Sequence, residues 1–349
     1  MSGKTTIYDI AKRLNITAAT VSRALNNSAK ISEATRKLVV ETALEMNYKQ
    51  NKLALALKSG KSYNVGVIVP YIDHNFFASV IRGIEEELNP KGYHVIICQT
   101  HEIEKKEIDT INTLLNAQVD GILMSISKLS TETEHFKRVL DKNVPLVFFD
   151  RKKDIPGVST VTINDFEAAY LATNHLIEQG CKRIAHISGD WALEIYKQRF
   201  AGYKKALLDN GLKFEKDYVL QTKSDIESGH KAVDNLMKLE IKPDAIFSSG
   251  DYVALGAIQR LKELGVRIPE DFCVVGFSNE PFTRFMELPI SSIDQVPIEM
   301  GKMAAKVFLD QQKNSGKVKI EQKVVLTSQL HIRKSSSKLE SLKLKKAKL

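Results

Sequence analysis

The chain has 349 residues, 43% of them apolar, enough for a small domain and a larger one with separate cores, and its apolar runs fall far short of the roughly 20 residues that span a bilayer. Its net charge of +9 is unevenly placed: residues 1–60 hold ten Lys/Arg against four Asp/Glu, residues 333–349 hold seven against one, and the stretch between is mildly acidic, the pattern of a basic head that meets a polyanion. The opening Met-Ser-Gly-Lys-Thr-Thr lacks the apolar stretch of roughly 7–15 residues found in a secretory leader, so a cytoplasmic protein with no membrane partner is expected.

In chain order, Ile7, Ile10, Ala11 and Leu14 share one helical face; Asn15-Ile16-Thr17 interrupts; Val21, Ala24 and Leu25 then line a second face, with Thr17 as its N-cap. A third helix starts at the N-cap Ser32 and runs through Val39, Ala43 and Met46, with Val40 and Leu44 beside that face. Three short helices with a tight first turn suit a DNA-reading head. The second helix carries the chemistry: small residues Ala18 and Ala19 that let it enter a major groove, hydroxyls on Thr17, Thr20 and Ser22 suited to phosphate, and Arg23, which can fork onto guanine.

The segments Thr6-Ile-Tyr-Asp-Ile-Ala-Lys, Ala19-Thr-Val-Ser-Arg-Ala-Leu-Asn, Ile31-Ser-Glu-Ala-Thr-Arg and Leu44-Glu-Met-Asn-Tyr closely resemble the head of the lactose-repressor (LacI/GalR) family. By that resemblance Ala18 and Ala19 take the variable base-reading positions and Arg23 the base-contacting arginine. Thr6, Thr17, Thr20, Ser22, Asn26, Ser32, Thr35 and Tyr48 are the remaining DNA-binding candidates, most of them on the sugar-phosphate backbone. Asn51-Lys-Leu-Ala-Leu-Ala-Leu-Lys-Ser-Gly is too short for a stable isolated helix. Its family counterpart is a hinge helix that pairs with its dimer mate and enters the minor groove, with Leu57 as the apolar wedge and Asn51 and Ala54 beside it.

From residue 61 onward, strand-type runs alternate with helix-sized segments. Asn64–Pro70, His94–Gln99, Gly121–Ser125, Pro145–Asp150 and Ser159–Ile163 form one series; Arg183–Ser188, Tyr218–Thr222, Ala245–Ser249 and Cys273–Phe277 form another. Two series imply two similar lobes with parallel sheets, and a ligand site beyond the carboxyl ends of their strands. The polar residues expected there are Asp150 and Arg151, Asn164 and Asp165, Arg199, Asp251 and Gln295, able to bond a sugar's hydroxyls in pairs.

The resemblance continues through Val144-Pro-Leu-Val-Phe-Phe-Asp-Arg, His175-Leu-Ile-Glu-Gln-Gly, Arg199-Phe-Ala-Gly-Tyr, Asp251-Tyr-Val-Ala-Leu-Gly-Ala and Val274-Val-Gly-Phe-Ser-Asn, to the same family's sensors and to ribose-type periplasmic binding proteins. It implies Phe76 and Phe77 as stacking aromatics, and chain crossovers that return residues near 293–321 to the first lobe and 322–332 to the second. Ser278 and Gly250 stand where sugar-responsive relatives carry Asp and Asn, and the single tryptophan, Trp191, is a further cleft candidate.

The fold expected is therefore an all-α helix-turn-helix head (1–50), a hinge (51–60), and an α/β two-lobed sensor resembling periplasmic binding proteins, with parallel sheets of type I topology (61–332). Residues 333–349 are expected as a basic, disordered tail; Leu339, Leu342 and Leu349 hint at heptads that Lys346 interrupts. The function expected is a homodimeric regulator, acting as a repressor of carbohydrate-related genes, that binds a pseudo-palindromic double-stranded operator and is controlled by a sugar or sugar derivative. Control by a partner protein, and a sugar-binding protein with no DNA role, are the alternatives. No enzyme is expected, because no phosphate-cradling, nucleophile-elbow or metal-spaced motif occurs. Cys98, Cys181 and Cys273 are scattered and the histidines lack ligand spacing, so no metal or cofactor is expected.

Overall fold

The computed structural model describes residues 5–48, 61–128, 130–313, 321–338 and 341. The chain divides into two compact units, Met1–Ser62 and Tyr63–Leu349.

The first unit holds α1 (Ile7–Leu14), α2 (Ala18–Leu25) and α3 (Glu33–Glu45). Each start is chemically specified. The Asp9 carboxylate accepts from the Thr6 N–H at 2.8 Å and its hydroxyl at 2.7 Å, Thr17 accepts from the Thr20 N–H at 3.1 Å, and Ser32 accepts from the Thr35 N–H at 3.3 Å. Asn15 ends α1 at φ 52°, a left-handed conformation that asparagine tolerates, and so turns the chain at once into α2. Ile10, Ala11, Val21, Ala24, Val39 and Ala43 form the core. Val40 and Leu44, expected beside it, are exposed; α3 instead buries Thr42, whose hydroxyl donates to the Leu38 carbonyl at 2.8 Å. Satisfying that hydroxyl inside the helix lets a polar residue take an apolar position.

The second unit contains two six-stranded sheets. In the first lobe the order is β11 (Lys323–Leu326), β5 (Ser159–Ile163), β4 (Leu146–Phe149), β3 (Gly121–Met124), β1 (Asn64–Val69), β2 (His94–Gln99). In the second it is β12 (Gln329–His331), β10 (Ser291–Asp294), β9 (Cys273–Phe277), β8 (Ala245–Ser248), β6 (Ile184–Ser188), β7 (Val219–Gln221). Neighbours run parallel except β10 and β12, which pair antiparallel. Inner strands such as Gly-Ile-Leu-Met and Cys-Val-Val-Gly-Phe are wholly buried, because helices cover both faces. The edge strand β2 is exposed at His94 and Ile97 and half-buried elsewhere.

Flanking helices in the first lobe are α4 (Asn75–Leu88), α5 (Glu104–Asn116) and α6 (Glu134–Asp141), joined by the late α12 (Pro297–Lys313); the second lobe has α7 (Asp165–Glu178), α8 (Glu194–Asp209), α9 (Ile226–Leu236) and α10 (Asp251–Glu263). The short α11 (Phe282–Phe285) follows β9. Helix α4 meets α12 so closely that a Cβ on Gly83 would lie 2.1 Å from the Ile298 carbonyl oxygen, and one on Gly301 2.0 Å from that of Val80. These two glycines clamp the returning helix onto the first lobe.

Two sequence expectations need correction. The last crossover falls between β11 and β12, so residues 323–326 belong to the first lobe. The expected tail begins too early: Ser335 and Ser336 are fully buried, with the Ser335 hydroxyl donating to the Val274 carbonyl at 2.6 Å and Ser336 Oγ lying 2.7 Å from His175 Nε2. These serines also receive the strand Ser-Ser-Ile-Asp, β10, which has no run of apolar residues to announce it. The Ser291 N–H donates to Ser335 Oγ at 2.8 Å, and the Ser292 hydroxyl to Asp251 at 2.7 Å.

Candidate functional site

In the first unit, α2 presents the base-reading candidates. Ala19 and Arg23 are exposed four residues apart, hence on one face, and the Arg23 side chain makes no ion pair among the described residues. Ala18 is half-buried and packs against the helical core, which withdraws part of its methyl surface. The hydroxyls of Thr17 and Thr20 lie 2.9 Å apart and those of Ser32 and Thr35 2.8 Å apart, so each pair sits at a helix start, where backbone N–H groups favour phosphate. Asn26 donates to the Ser22 carbonyl at 2.8 Å, Thr6 is exposed, and Tyr48 packs half-buried on the core. Asn51, Ala54 and Leu57 lie outside the described residues.

In the second unit the strand ends of the two lobes face a cleft. A chain of polar side chains crosses it. The Ser278 hydroxyl donates to Gln295 Oε1 at 2.9 Å, Gln295 Nε2 donates to Asp150 Oδ1 at 3.5 Å, and the Ser125 hydroxyl donates to Asp150 Oδ2 at 3.4 Å. Asp150 stands at φ 61° just beyond β4, beside Arg151, whose Nη1 binds Glu102 at 2.7 Å and whose Nε lies 3.7 Å from Asp150. Burial pushes the Asp150 carboxyl above its ordinary range, against the pull of Arg151 and Arg199. Burial also opposes the charge of Arg151, but Glu102 and Asp150 outweigh it and hold the guanidinium charged.

Arg199 projects from α8 onto the ring of Phe277, 3.6 Å from its centroid, with Nε on Asp165 at 2.7 Å and Nη1 on the Ser249 carbonyl at 3.1 Å. Even so, burial lifts the Asp165 carboxyl to about 6. Asn164 caps α7 by accepting from the Glu167 N–H at 3.1 Å. A cavity of about 460 Å³ opens here. It is lined from the first lobe by Ser127–Lys128, Ser130 and Asp150–Lys153, and across the cleft by Asn164–Phe166 and by Ala192–Ile195 and Gln198 at the start of α8.

The sequence candidates therefore separate. Asp150, Arg151 and Asn164 line the cavity, while Arg199, Ser278 and Gln295 brace the groups around it. Phe76 and Phe77 are buried in the core shared by the two lobes, with Arg151 5.9 Å above the Phe77 ring. Trp191 donates its indole N–H to Ser188 at 2.9 Å and packs 4.8 Å from Phe200, immediately before the cavity-lining Ala192. Asp251 is an internal brace: its two oxygens accept from the Glu280 N–H at 2.8 Å and the Ser292 hydroxyl at 2.7 Å, and burial raises its carboxyl to about 7. A strand-end aspartate looks the same in sequence whether its oxygens point to a ligand or to a neighbouring loop.

Sequence reasoning missed the residues that tie the lobes together. Lys128 from the first lobe pairs with Asp190 of the second at 3.0 Å, and the Phe76 N–H, at the start of α4, donates to the buried Glu280 carboxylate. It also missed the floor beneath Ser127, where the buried Glu107 accepts from the Ser127 N–H at 2.6 Å and meets His135 Nε2 at 3.0 Å. None of these sits at a motif, and their partners are twenty or more residues away or in the opposite lobe. Among the described residues no group of His, Cys, Asp and Glu could hold a metal ion, and no helix is long and apolar enough to cross a membrane.

A three-helix head with an exposed arginine on its second helix, joined in one chain to two mostly parallel sheets around a polar cleft, defines a DNA-binding regulator with a ligand sensor. The comparisons agree. Residues 6–51 match the model for bacterial regulatory proteins of the lacI family, and residues 62–329 that for periplasmic binding proteins and the sugar-binding domain of the LacI family. The chain belongs to the LacI family of bacterial transcription regulators. It is 32% identical to the transcriptional repressor PurR of Vibrio campbellii over 311 residues, 88% of this chain and 92% of that one. Among solved structures it resembles the transcriptional regulator CelR in complex with cellobiose, at 26% identity and TM-score 0.71, covering 95% of this chain and 99% of that one. The lac repressor dimer bound to operator and an anti-inducer shares the fold at TM-score 0.82 and 22% identity, covering 96% and 99% of the two chains.

Proposed function

We propose that the chain acts in the cytoplasm as a homodimeric repressor of carbohydrate-related genes, whose affinity for a two-fold operator is set by a small polyhydroxylated effector in the 460 Å³ cavity. The cavity carries the reading. Its wall is drawn from both lobes, so an occupant that bonds both changes the free energy of one lobe spacing relative to another, which is the differential contact that allostery requires. Asp150 and Asn164 offer acceptors to hydroxyls, and Arg151 is already oriented by Glu102. In this reading Thr17, Thr20, Ser22, Asn26, Ser32, Thr35 and Tyr48 hold backbone phosphates, Arg23 and Ala19 read bases, and Asn51, Ala54 and Leu57 belong to the hinge. Nothing is turned over.

Operator binding to the gene's own upstream region tests this, measured at a stated salt with and without a panel of neutral and acidic sugars. A compound that shifts specific affinity supports the reading and supplies the sign of control. Specific binding that no compound alters favours a partner protein as the controlling ligand, and equal affinity for operator and random DNA defeats the reading.

A further inference from the structure

The cations around the cavity differ in how far they are already committed. Arg151 is held by Glu102 and Asp150, and Arg199, behind the wall, by Asp165. Lys128 pairs with Asp190 at 3.0 Å and Lys152 with Asp154 at 2.6 Å. Lys153 reaches only the Glu132 carbonyl oxygen, at a long 3.4 Å, and has no carboxylate partner among the described residues. Lys153 is one of the residues that line the cavity.

Two further features of the same cavity favour negative charge. Helix α8 begins there behind Leu193, an apolar N-cap that gives its first-turn N–H groups no side-chain acceptor, and Glu194 and Ile195 line the wall. Sixteen residues of aligned peptide dipole thus direct a partial positive charge toward the cavity. The hydroxyl of Ser130, a buried residue of the lining, has no hydrogen-bond partner among the described residues. A buried hydroxyl left unsatisfied is costly, and a ligand oxygen would relieve it. The acidic groups nearby do not cancel this: Glu194 pairs with Lys197 at 3.5 Å and accepts from Gln198 at 2.8 Å, while Asp150 and Asp165 face the arginines.

We propose that the effector carries one anionic group, a carboxylate or a phosphate on an otherwise hydroxylated skeleton, which binds Lys153, Ser130 and the start of α8. This rests on the cleft being the effector site. Arg151 and Arg199, whose charges are internally balanced, are not the anion contact.

The test titrates the purified full-length protein with D-glucuronate, D-galacturonate, glucose 6-phosphate and galactose 6-phosphate against neutral glucose and galactose. The fluorescence of Trp191, next to the cavity wall, is the readout. At least one acidic compound should bind ten-fold or more tighter than its neutral parent, with an affinity that weakens as salt rises. Lys153→Ala should lower that affinity roughly ten- to a hundred-fold, the range of a charge-assisted hydrogen bond, and leave the neutral sugars unchanged. Preference for the uronates assigns a carboxylate; preference for the phosphates assigns a phosphate. Neutral sugars binding as tightly as the acids, an unresponsive Lys153→Ala variant, or no binding by any of the four acids each overturns the inference. If a neutral sugar still alters operator affinity, the sensor reading survives that failure; if operator affinity responds to nothing, that reading fails separately.

Discussion

Replacing Arg199 by methionine isolates what the buried Arg199–Asp165 pair does. Methionine keeps much of the length and the contact with Phe277 but removes both the 2.7 Å bond to Asp165 and the 3.1 Å bond to the Ser249 carbonyl. Asp165 is only 7% exposed, so its charge then has nowhere to go. Stripping one partner from a buried ion pair costs about 3–5 kcal/mol, and at roughly 2–4 °C per kcal/mol for domains near this size, melting at pH 8 should fall by roughly 6–20 °C. The pH dependence is the sharper signature. With Arg199 in place the carboxyl already sits at about 6, raised by burial from 3.8, so ionising it costs roughly 3 kcal/mol above pH 6 and nothing once it is protonated in both folded and unfolded chains. Without Arg199 the carboxyl rises further, and the destabilisation should shrink from pH 8 to pH 5. The double variant Arg199→Met, Asp165→Asn should recover most of the loss. Calorimetry of the parent and the two variants at both pH values is decisive: a single variant that melts within a degree of the parent, or a double variant as unstable as the single, refutes this account of the pair.

Asp251, raised to about 7 by burial, gives the fold a stability contribution that is whole below pH 4 and lost as pH rises through 7. Asp251→Asn, which can keep both bonds if the Ser292 hydroxyl rotates, should therefore melt at or above the parent at pH 8 and converge with it near pH 4. Asp251→Ala should melt lower at pH 8, and equal losses for the two would show that the charge is irrelevant. Gly301→Ala forces a methyl against the Val80 carbonyl and should cost about 1–3 kcal/mol as overpacking, visible as a lower denaturant midpoint; an unchanged midpoint would mean that α4 and α12 separate freely. In DNA binding, Arg23→Ala should lose about 1–3 kcal/mol of preference for operator over random sequence, whereas Ser22→Ala should weaken both alike. Competition titrations with the two DNAs separate these outcomes.

Much of this protein is written locally. The caps Thr17 and Ser32, the helical spacing of Ile10, Val21 and Val39, and the apolar runs of β1, β2, β5 and β9 are consequences of neighbouring residues and chain periodicity, and they appear in the structure where the sequence places them. The family resemblance lies in such contiguous segments too. Where polar groups are satisfied, by contrast, depends on contacts that form only in the folded chain. Ser-Ser-Ile-Asp becomes an inner strand because Ser335 and Asp251, distant in sequence, meet its serines. Asp251 turns inward as a brace while Asp150 lines the cavity, although both follow strands. Val40 and Leu44 stay exposed while Thr42 is buried. A hydrogen bond is decided by angles and distances of a few tenths of an ångström between residues brought together by the fold, and no periodicity along the chain encodes that placement.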